Sequence, residues 1–564
     1  MKKLLATKYW WIALLVLLVL VNYAASFFNL RADLTAEKRF TLSPSTKKML
    51  QGLDSTIKVT VFLDGDMPKD FKKLRNTTST LLQEFKETSH NRVRFVFEKP
   101  GVGMDDSTKT HFLDSIATLG IKAYNISAQV KEGEEQKLVV PGALVSYKGR
   151  VTAVDLMAGQ SADLDETSIN RVEATLEYKF ASAIQKITID SMPVVGYLLG
   201  NGEEFSQRIK DLIDNNLRRK YGFAFLPIDS VPAIPTVFNA MLINKPTQKF
   251  TDAQKLKLDQ YIMQGGKVIW MIDNLYAEMD SLQRVQNDFI AFDRGLNLED
   301  ILFKYGVRIN QDLVQDLNCD KIPSVIGNVG GKPQIQLLPW PYFPLLSSTD
   351  NNPISKNLDY VLAQFPNSID TVKAEGIKKT YLLTTSNESR ILNTPAKVAW
   401  NSIQNKEDLK TFNKSYVPIA VLLEGKFTSL YANRLSNEIR TALDAAHQPF
   451  IAQNAADNKM IVVSDGDIAL NYVSQSEGPI AMGTNPYTKA RYANSEFVSN
   501  CIEYLVDKSG ILETRNKDIA LRLLDKQKLE EGKTQWQLIN ILAPLLFIVI
   551  CGGVYQLLRK RKYS

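Results

Sequence analysis

Histidine and cysteine are scarce in this chain. Its 564 residues include three of each: His90, His111 and His447; Cys319, Cys501 and Cys551. No CxxC pair and no Cys/His cluster occurs, so the usual ligand sets of structural zinc cannot be assembled. Cys551 falls inside an apolar run, which leaves at most one disulfide, Cys319 to Cys501. The fold therefore does not depend on a disulfide framework. Acidic residues are missing from both ends. The first thirty residues carry Lys2, Lys3 and Lys8 without an acid, and the last thirty-one carry Arg559, Lys560, Arg561 and Lys562 without one. Setting these seven aside leaves 61 of the 68 basic residues against 61 acidic ones. An electroneutral body lacks the basic face that nucleic-acid binding requires, and no nucleic-acid partner is expected. No Ser, Cys or His stands in a nucleophile elbow or beside a base. GNVGGKP at 327–333 is one residue short of a phosphate loop and has Pro333 where Ser or Thr must bind magnesium, which excludes an ATPase site there. No metal or other cofactor is expected.

Apolar sequence is abundant at the two ends. Trp10 to Leu30 is a stretch of 21 uncharged residues, roughly 31 Å as a helix and thus a match to the hydrocarbon thickness of a bilayer. Tyr9, Trp10 and Trp11 at one end and Phe27 and Phe28 at the other fit an interfacial belt. A cleaved signal peptide ending near Ala24-Ala25-Ser26 is the competing reading. Trp536 to Leu558 is a second candidate span, interrupted by Asn540, Pro544 and Gly552-Gly553. Small and polar residues let a neighbouring helix approach closely, so these four are candidate docking positions for a membrane partner. Long domains translocate largely regardless of charge, so the short all-basic tails decide orientation and place both termini in the cytoplasm.

Between the spans the pattern is α/β. Ser43 followed by Pro44 marks a helix start. Ile57–Leu63 and Val93–Phe97 read as strands, a helical stripe runs from Leu74 to Phe85, and a further helix covers about Thr108 to Leu119. A hairpin turning at Lys148-Gly149-Arg150 follows. This order, with Pro141 before the terminal hairpin, resembles the thioredoxin-like fold, in which the matching proline is cis. The redox pair of that fold is replaced by Asp64-Gly65-Asp66-Met67-Pro68, so disulfide chemistry is impossible and a scaffold or docking role is expected. Ile169, Val172, Leu176, Phe180 and Ile184 form a stripe on a linking helix with one buried face. The second domain opens on the strand Val194–Leu199, then Gly200-Asn201-Gly202-Glu203 and a helix carrying Phe205, Ile209, Leu212 and Ile213. Thr251 to Gln254 is a capping box and Gly265-Gly266 a helix stop. Strands alternating with helices predict a parallel, doubly wound sheet, and residues 320–420 an irregular or β-rich insertion. Ligands of such sheets bind beyond the carboxyl ends of the strands. This makes Asn201, Gly202, Glu203 and Asp465 the candidate ligand-binding residues. As an enzyme, the chain would use Glu203 and Asp465 as paired carboxylates or metal ligands; the alternative is glycine turns with helix-capping acids.

The expected layout is a cytoplasmic tail (1–8), a transmembrane helix (9–30), a thioredoxin-like periplasmic domain (40–160), a linking helix (161–190), an α/β periplasmic domain (191–510), a juxtamembrane segment (511–535), a transmembrane helix (536–558) and a cytoplasmic tail (559–564). The motifs LLGNGEE, YIMQGGKVIWMID, LPWPYFP, VVSDGDIALN and RNKDIALRLLDK, set between two anchors, resemble the gliding-motility-associated ABC-transporter auxiliary (substrate-binding-like) proteins of the GldG type. The resemblance implies a class I amidotransferase-like, flavodoxin-like second domain, in which the family's usual histidine before Gly-Glu is Asn201. It also implies no enzymatic activity, an inner-membrane location, and partners in an ABC permease, a cytoplasmic ATPase and an envelope or cell-wall component. A periplasmic hydrolase or amidotransferase and a cell-wall-binding structural protein are the alternatives.

Overall fold

The computed structural model describes residues 15–21, 23, 41–130, 133–158, 166–189, 192–285, 288–329, 331–400, 406–435, 441, 449–507, 509–516 and 526–563. Two units are distinguished, Met1–Lys517 and Asp518–Ser564.

The first unit begins with α1 (Pro44–Gln51), whose Ser43 side chain accepts from the Thr46 N–H as its N-cap. A small α/β layer follows: β1 (Ile57–Val61), α2 (Lys69–Thr88), β2 (Val93–Phe97), α3 (Asp106–Thr118), a hairpin of β3 (Tyr124–Val130) and β4 (Gly133–Val139), then β5 (Gly142–Tyr147), β6 (Arg150–Asp155) and α4 (Glu166–Thr188). The sheet order is β2-β1-β5-β6, with β1 parallel to β2 and antiparallel to β5. The β3–β4 hairpin pairs only with itself, between two elements that sequence patterning did detect. Pro141 differs from expectation: the only cis peptide bond among the described residues is Thr394–Pro395. A three-residue turn is centred on Pro141, in which the Val140 carbonyl accepts from the Gly142 N–H at 2.9 Å. Gly142 is needed there, because a Cβ would stand 2.4 Å from the Ile121 side chain.

The main sheet has seven strands: β7 (Val194–Leu199), β8 (Gly222–Pro227), β9 (Phe238–Asn244), β10 (Lys267–Met271), β11 (Ile377–Thr384), β12 (Pro418–Gly425) and β13 (Asn458–Val463), in the order β11-β12-β13-β10-β9-β7-β8. The five from β13 to β8 are parallel, and β12 and β11 are added antiparallel at one edge. The sheet is thus mixed, and it takes β11 from within the segment expected to form an insertion and β12 from that segment's C-terminal boundary. After β7 the predicted helix is broken into a short turn (Gln207–Ile209) and a wide turn (Leu212–Leu217). Ile209, Leu212 and Ile213 are buried as expected, but Phe205 is 64% exposed. The α5 helix (Asp252–Met263) starts on the full Thr251/Gln254 capping box. The β-rich segment contains a long hairpin, Cys319–Val329 against Lys332–Leu346, so residues 327–329 and 332–333 of GNVGGKP are paired strand, and Trp340 and Tyr342 anchor a satellite core. Cys319 and Cys501 are both free thiols.

Packing explains why the small layer and the main sheet form one unit. A continuous core runs from Val59 and Val145 through Phe180 and Ile184 of α4 to Tyr197 and Leu242 of the main sheet and Phe497 of α6 (Asn494–Val506). The stripe on α4 was expected to bury one face, yet residues 172–178 are buried without a break. Its polar residues are satisfied internally. Glu177 accepts from the Ser43 N–H at 2.7 Å, Glu173 pairs with Lys73 at 3.2 Å, and Lys186 reaches Glu503 of α6 at 2.7 Å. A second core covers the opposite face of the main sheet, around Phe250, Leu258 and Trp270.

The second unit is α7 (Lys526–Tyr563), in which Gln535–Arg561 is long and apolar enough to cross a membrane. It is the only such helix among the described residues. Residues 15–21 and 23 are helical and exposed, whereas the rest of the expected 9–30 span, the 1–8 tail and residues 517–525 of the expected juxtamembrane segment lie outside the described residues.

Truncating Phe180 to Ala removes a fully buried ring where the two layers meet, and should cost about 3–5 kcal/mol. Urea denaturation of the full chain should show a single lowered midpoint. A change below about 1 kcal/mol would contradict the shared core.

Candidate functional site

The carboxyl ends of the parallel strands converge on two polar clusters. The first forms after β7. Gly202 has φ +72°, and a Cβ there would lie 2.2 Å from the Thr247 hydroxyl, so only glycine lets the loop approach the 247 strand end. This turn folds Glu203 back so that its carboxylate accepts from the Asn201 N–H at 2.8 Å. The Asn201 amide donates to Gln254 at 3.0 Å, and Gln254 donates in turn to Asp229. Asn201 Oδ1, Glu203 Oε1 and both amide atoms of Asn244 are buried and have no hydrogen-bond partner among the described residues. Burial raises the Glu203 carboxyl above its ordinary range, ahead of the backbone N–H groups that oppose the shift.

The second cluster is built around Lys245, which follows β9 in the left-handed region at φ 51°. Its ammonium lies 3.0 Å from Asp273, after β10, and 2.5 Å from Asp467, after β13. Asp467 also receives Arg208 at 3.0 Å, and Arg208 pairs with Glu204 at 3.5 Å, joining this cluster to the β7 loop. Gly466 permits the approach, since a Cβ there would meet Lys245 Cβ at 2.7 Å and its Cα at 3.0 Å. Asp465 accepts from the Gln364 and Asp467 N–H groups at 2.6 and 2.7 Å.

These environments divide the charges. Burial alone would depress Lys245, but Asp273 and Asp467 outweigh it and hold the ammonium above its ordinary range. Burial would likewise raise Asp467, yet Lys245 and then Arg208 bring it below. Asp465 is pushed well above the carboxylate range by burial, with Asp273 and Asp467 adding to the effect, and Asp273 is raised by burial against the pull of Lys245.

Asp273, Asp465 and Asp467 bring oxygens within 4.8 Å of one another, a spacing that could hold a cation. The Lys245 ammonium bonds two of the three and supplies that charge itself. The predicted pairing of Glu203 with Asp465 does not form: the carboxylates beside Asp465 are Asp273 and Asp467, while Glu203 turns back on its own loop. Sequence reading missed Lys245, Asp273 and Arg208. The available signal was a charged residue at or just past the end of each buried strand, Asn244-Lys245 and Ile272-Asp273. A cleft of about 1470 Å³ opens beside Asn274, between Asp312, Ser368 and Lys414. On α7, Gly552 and Gly553 have open space around them, and Asn540 is exposed. Pro544 removes the N–H that would bond the Asn540 carbonyl.

Replacing Lys245 by Met leaves Asp467 buried with half its compensation and should cost about 3–5 kcal/mol, read by urea denaturation. The pH dependence has two opposite parts. Asp467 contributes stability above its unfolded pKa that is lost as pH falls through its lowered folded value. Asp465 keeps a proton the unfolded chain has released, so its contribution declines as pH rises from the unfolded value towards the raised one. Asp465→Asn should therefore flatten the loss of thermal midpoint with rising pH, while Asp467→Asn should flatten the loss in acid. Unchanged slopes would refute the charge assignment.

No curated protein matches the chain. Among solved structures, "mmIFT52 N-terminal domain" aligns at 14% identity and TM-score 0.30, covering 55% of this chain and 96% of that one. A crystal structure described as of a thua-like protein from Parabacteroides merdae ATCC 43184 aligns at 10% identity and TM-score 0.26, covering 56% and 90%. Residues 36–146 match a domain of unknown function, DUF7088. Residues 192–501, more than half of the chain and all of the strands that carry both polar clusters, match the family described as "ABC-type uncharacterized transport system", and the chain belongs to this family of ABC transporter auxiliary proteins.

Proposed function

We propose that the chain is a non-enzymatic auxiliary subunit of an ABC transporter complex, anchored in the inner membrane at both ends with its body in the periplasm. In this reading it couples a permease and a cytoplasmic ATPase to an envelope substrate or structure during gliding motility. The observation that carries it is the pairing of a family assignment with an exposed apolar helix, appended to a body whose buried charges are tied to one another. Exposed apolar surface along Gln535–Arg561 needs lipid or protein around it. The small layer is assigned a thioredoxin-like scaffold role, supported by the β-α-β-α-β-β-α order that remains when the β3–β4 hairpin is set aside and by the β2-β1-β5-β6 sheet. The main sheet is assigned an amidotransferase-like role as the rigid platform, supported by its parallel strands and the Asn201 turn.

Ligand recognition at the sheet edge is a second element of the proposal. The unpartnered atoms of Asn201, Glu203 and Asn244 favour a polar ligand there, held by the Asn201-Gly202-Glu203 turn with Asp465 behind it. For the membrane helix, Asn540, Pro544, Gly552 and Gly553 are assigned the face that meets the permease.

Tagged full-length protein, solubilised in mild detergent, should bring down a permease and an ATPase. Gly552→Leu combined with Gly553→Leu should reduce that recovery at least tenfold without moving the thermal midpoint of the body. Recovery as a lone monomer would sink the proposal.

A further inference from the structure

A second cavity, of about 820 Å³, lies away from the carboxyl ends of the strands, between β6, α4, the 219–221 turn and the end of α6. Its size is that of a small-molecule site. The described walls carry five basic side chains against three carboxylates, set among apolar residues that include Val151, Ile187 and Val506. The carboxylates Glu503 and Asp507 already have partners: Glu503 accepts from Ser182 at 2.9 Å and Lys186 at 2.7 Å, and Asp507 accepts from Gln185 and Ser509. Lys220 is different. Its ammonium donates to the neutral Ser499 hydroxyl at 2.8 Å, with no carboxylate in ion-pair range among the described residues. Beside it, Tyr221 is 5% exposed, and its hydroxyl is buried without a hydrogen-bond partner among the described residues. A buried hydroxyl left unpaired costs free energy that a ligand acceptor would remove.

We propose that this cavity binds an anionic amphiphile, its acidic head group against Lys220 and the Tyr221 hydroxyl and its short apolar body against Val151, Ile187 and Val506. Burial, and after it the neighbouring Lys186, pushes Lys220 down to about 8, and an incoming anion relieves that penalty. The site joins elements of the small layer to α6 and the main sheet, so an occupant would stiffen the contact between them. The inference does not rest on the proposed role in gliding motility.

Isothermal titration of full-length protein in a nonionic detergent with hexyl phosphate tests it, with inorganic phosphate titrated in parallel. The expected result is saturable one-to-one binding of hexyl phosphate, at least tenfold tighter than inorganic phosphate. Tyr221→Phe, which removes only the oxygen, and Lys220→Met should each weaken it about tenfold while the thermal midpoint in the absence of ligand stays within a few degrees. No saturable binding, equal affinity for inorganic phosphate, or an affinity unmoved by Tyr221→Phe would overturn the proposal.

Discussion

The Lys245 ammonium is the interaction on which the carboxyl edge of the main sheet depends. It joins the ends of three neighbouring strands, its own β9, β10 through Asp273 and β13 through Asp467. A buried ion pair of this kind is a weak source of net stability, because desolvation offsets much of the attraction. Its effect here is geometric. With Lys245 bonded to two carboxylates and Gly466 packed against its stem, the loops after β9, β10 and β13 have one compatible arrangement. Arg208 extends the same network to the β7 turn, so charged contacts link all four loops.

Rigidity is continued below the edge by α4. Buried along most of its length, it passes through a core shared by the small sheet and the main sheet. Its acids and lysine are spent on contacts in three directions, to α1 through Ser43, to α2 through Lys73 and to α6 through Glu503. A hinge between the small layer with α4 and the main sheet would have to break the Lys186–Glu503 and Ser182–Glu503 contacts and open the core that holds Phe180 and Ile184.

Local sequence codes were legible wherever the information was local. The Ser43-Pro44 helix start, the Thr251 capping box and the Val93–Phe97 strand were all read from a few adjacent residues, and each forms where expected. Features that depend on distant partners were not. Periodicity marked one face of α4 for burial, but the opposite face is covered only because Lys73, Ser43 and Glu503 offer partners to its charges. Residues 320–420 read as an insertion because their prolines and short runs resemble irregular structure, yet 377–384 extends the main sheet, next to a strand that starts at 418. Asn201, Glu203 and Asp465 were placed correctly at strand ends, since a parallel sheet puts its loops there. Their grouping into two clusters was hidden, because Lys245 and Asp273 each look unremarkable until β9, β10 and β13 are side by side.

The C-terminal helix adds the remaining constraint, an apolar surface along Gln535–Arg561 long enough to cross a membrane. The account's central claim remains the closed edge: the three aspartates already hold their cation, and it is a lysine. A manganese titration of the full-length protein in detergent, followed by electron paramagnetic resonance, tests this directly. The account predicts that added manganese keeps the free hydrated signal through micromolar concentrations. Saturable binding of one manganese ion, abolished by Asp467→Asn, would contradict it and reopen the edge as a catalytic metal centre.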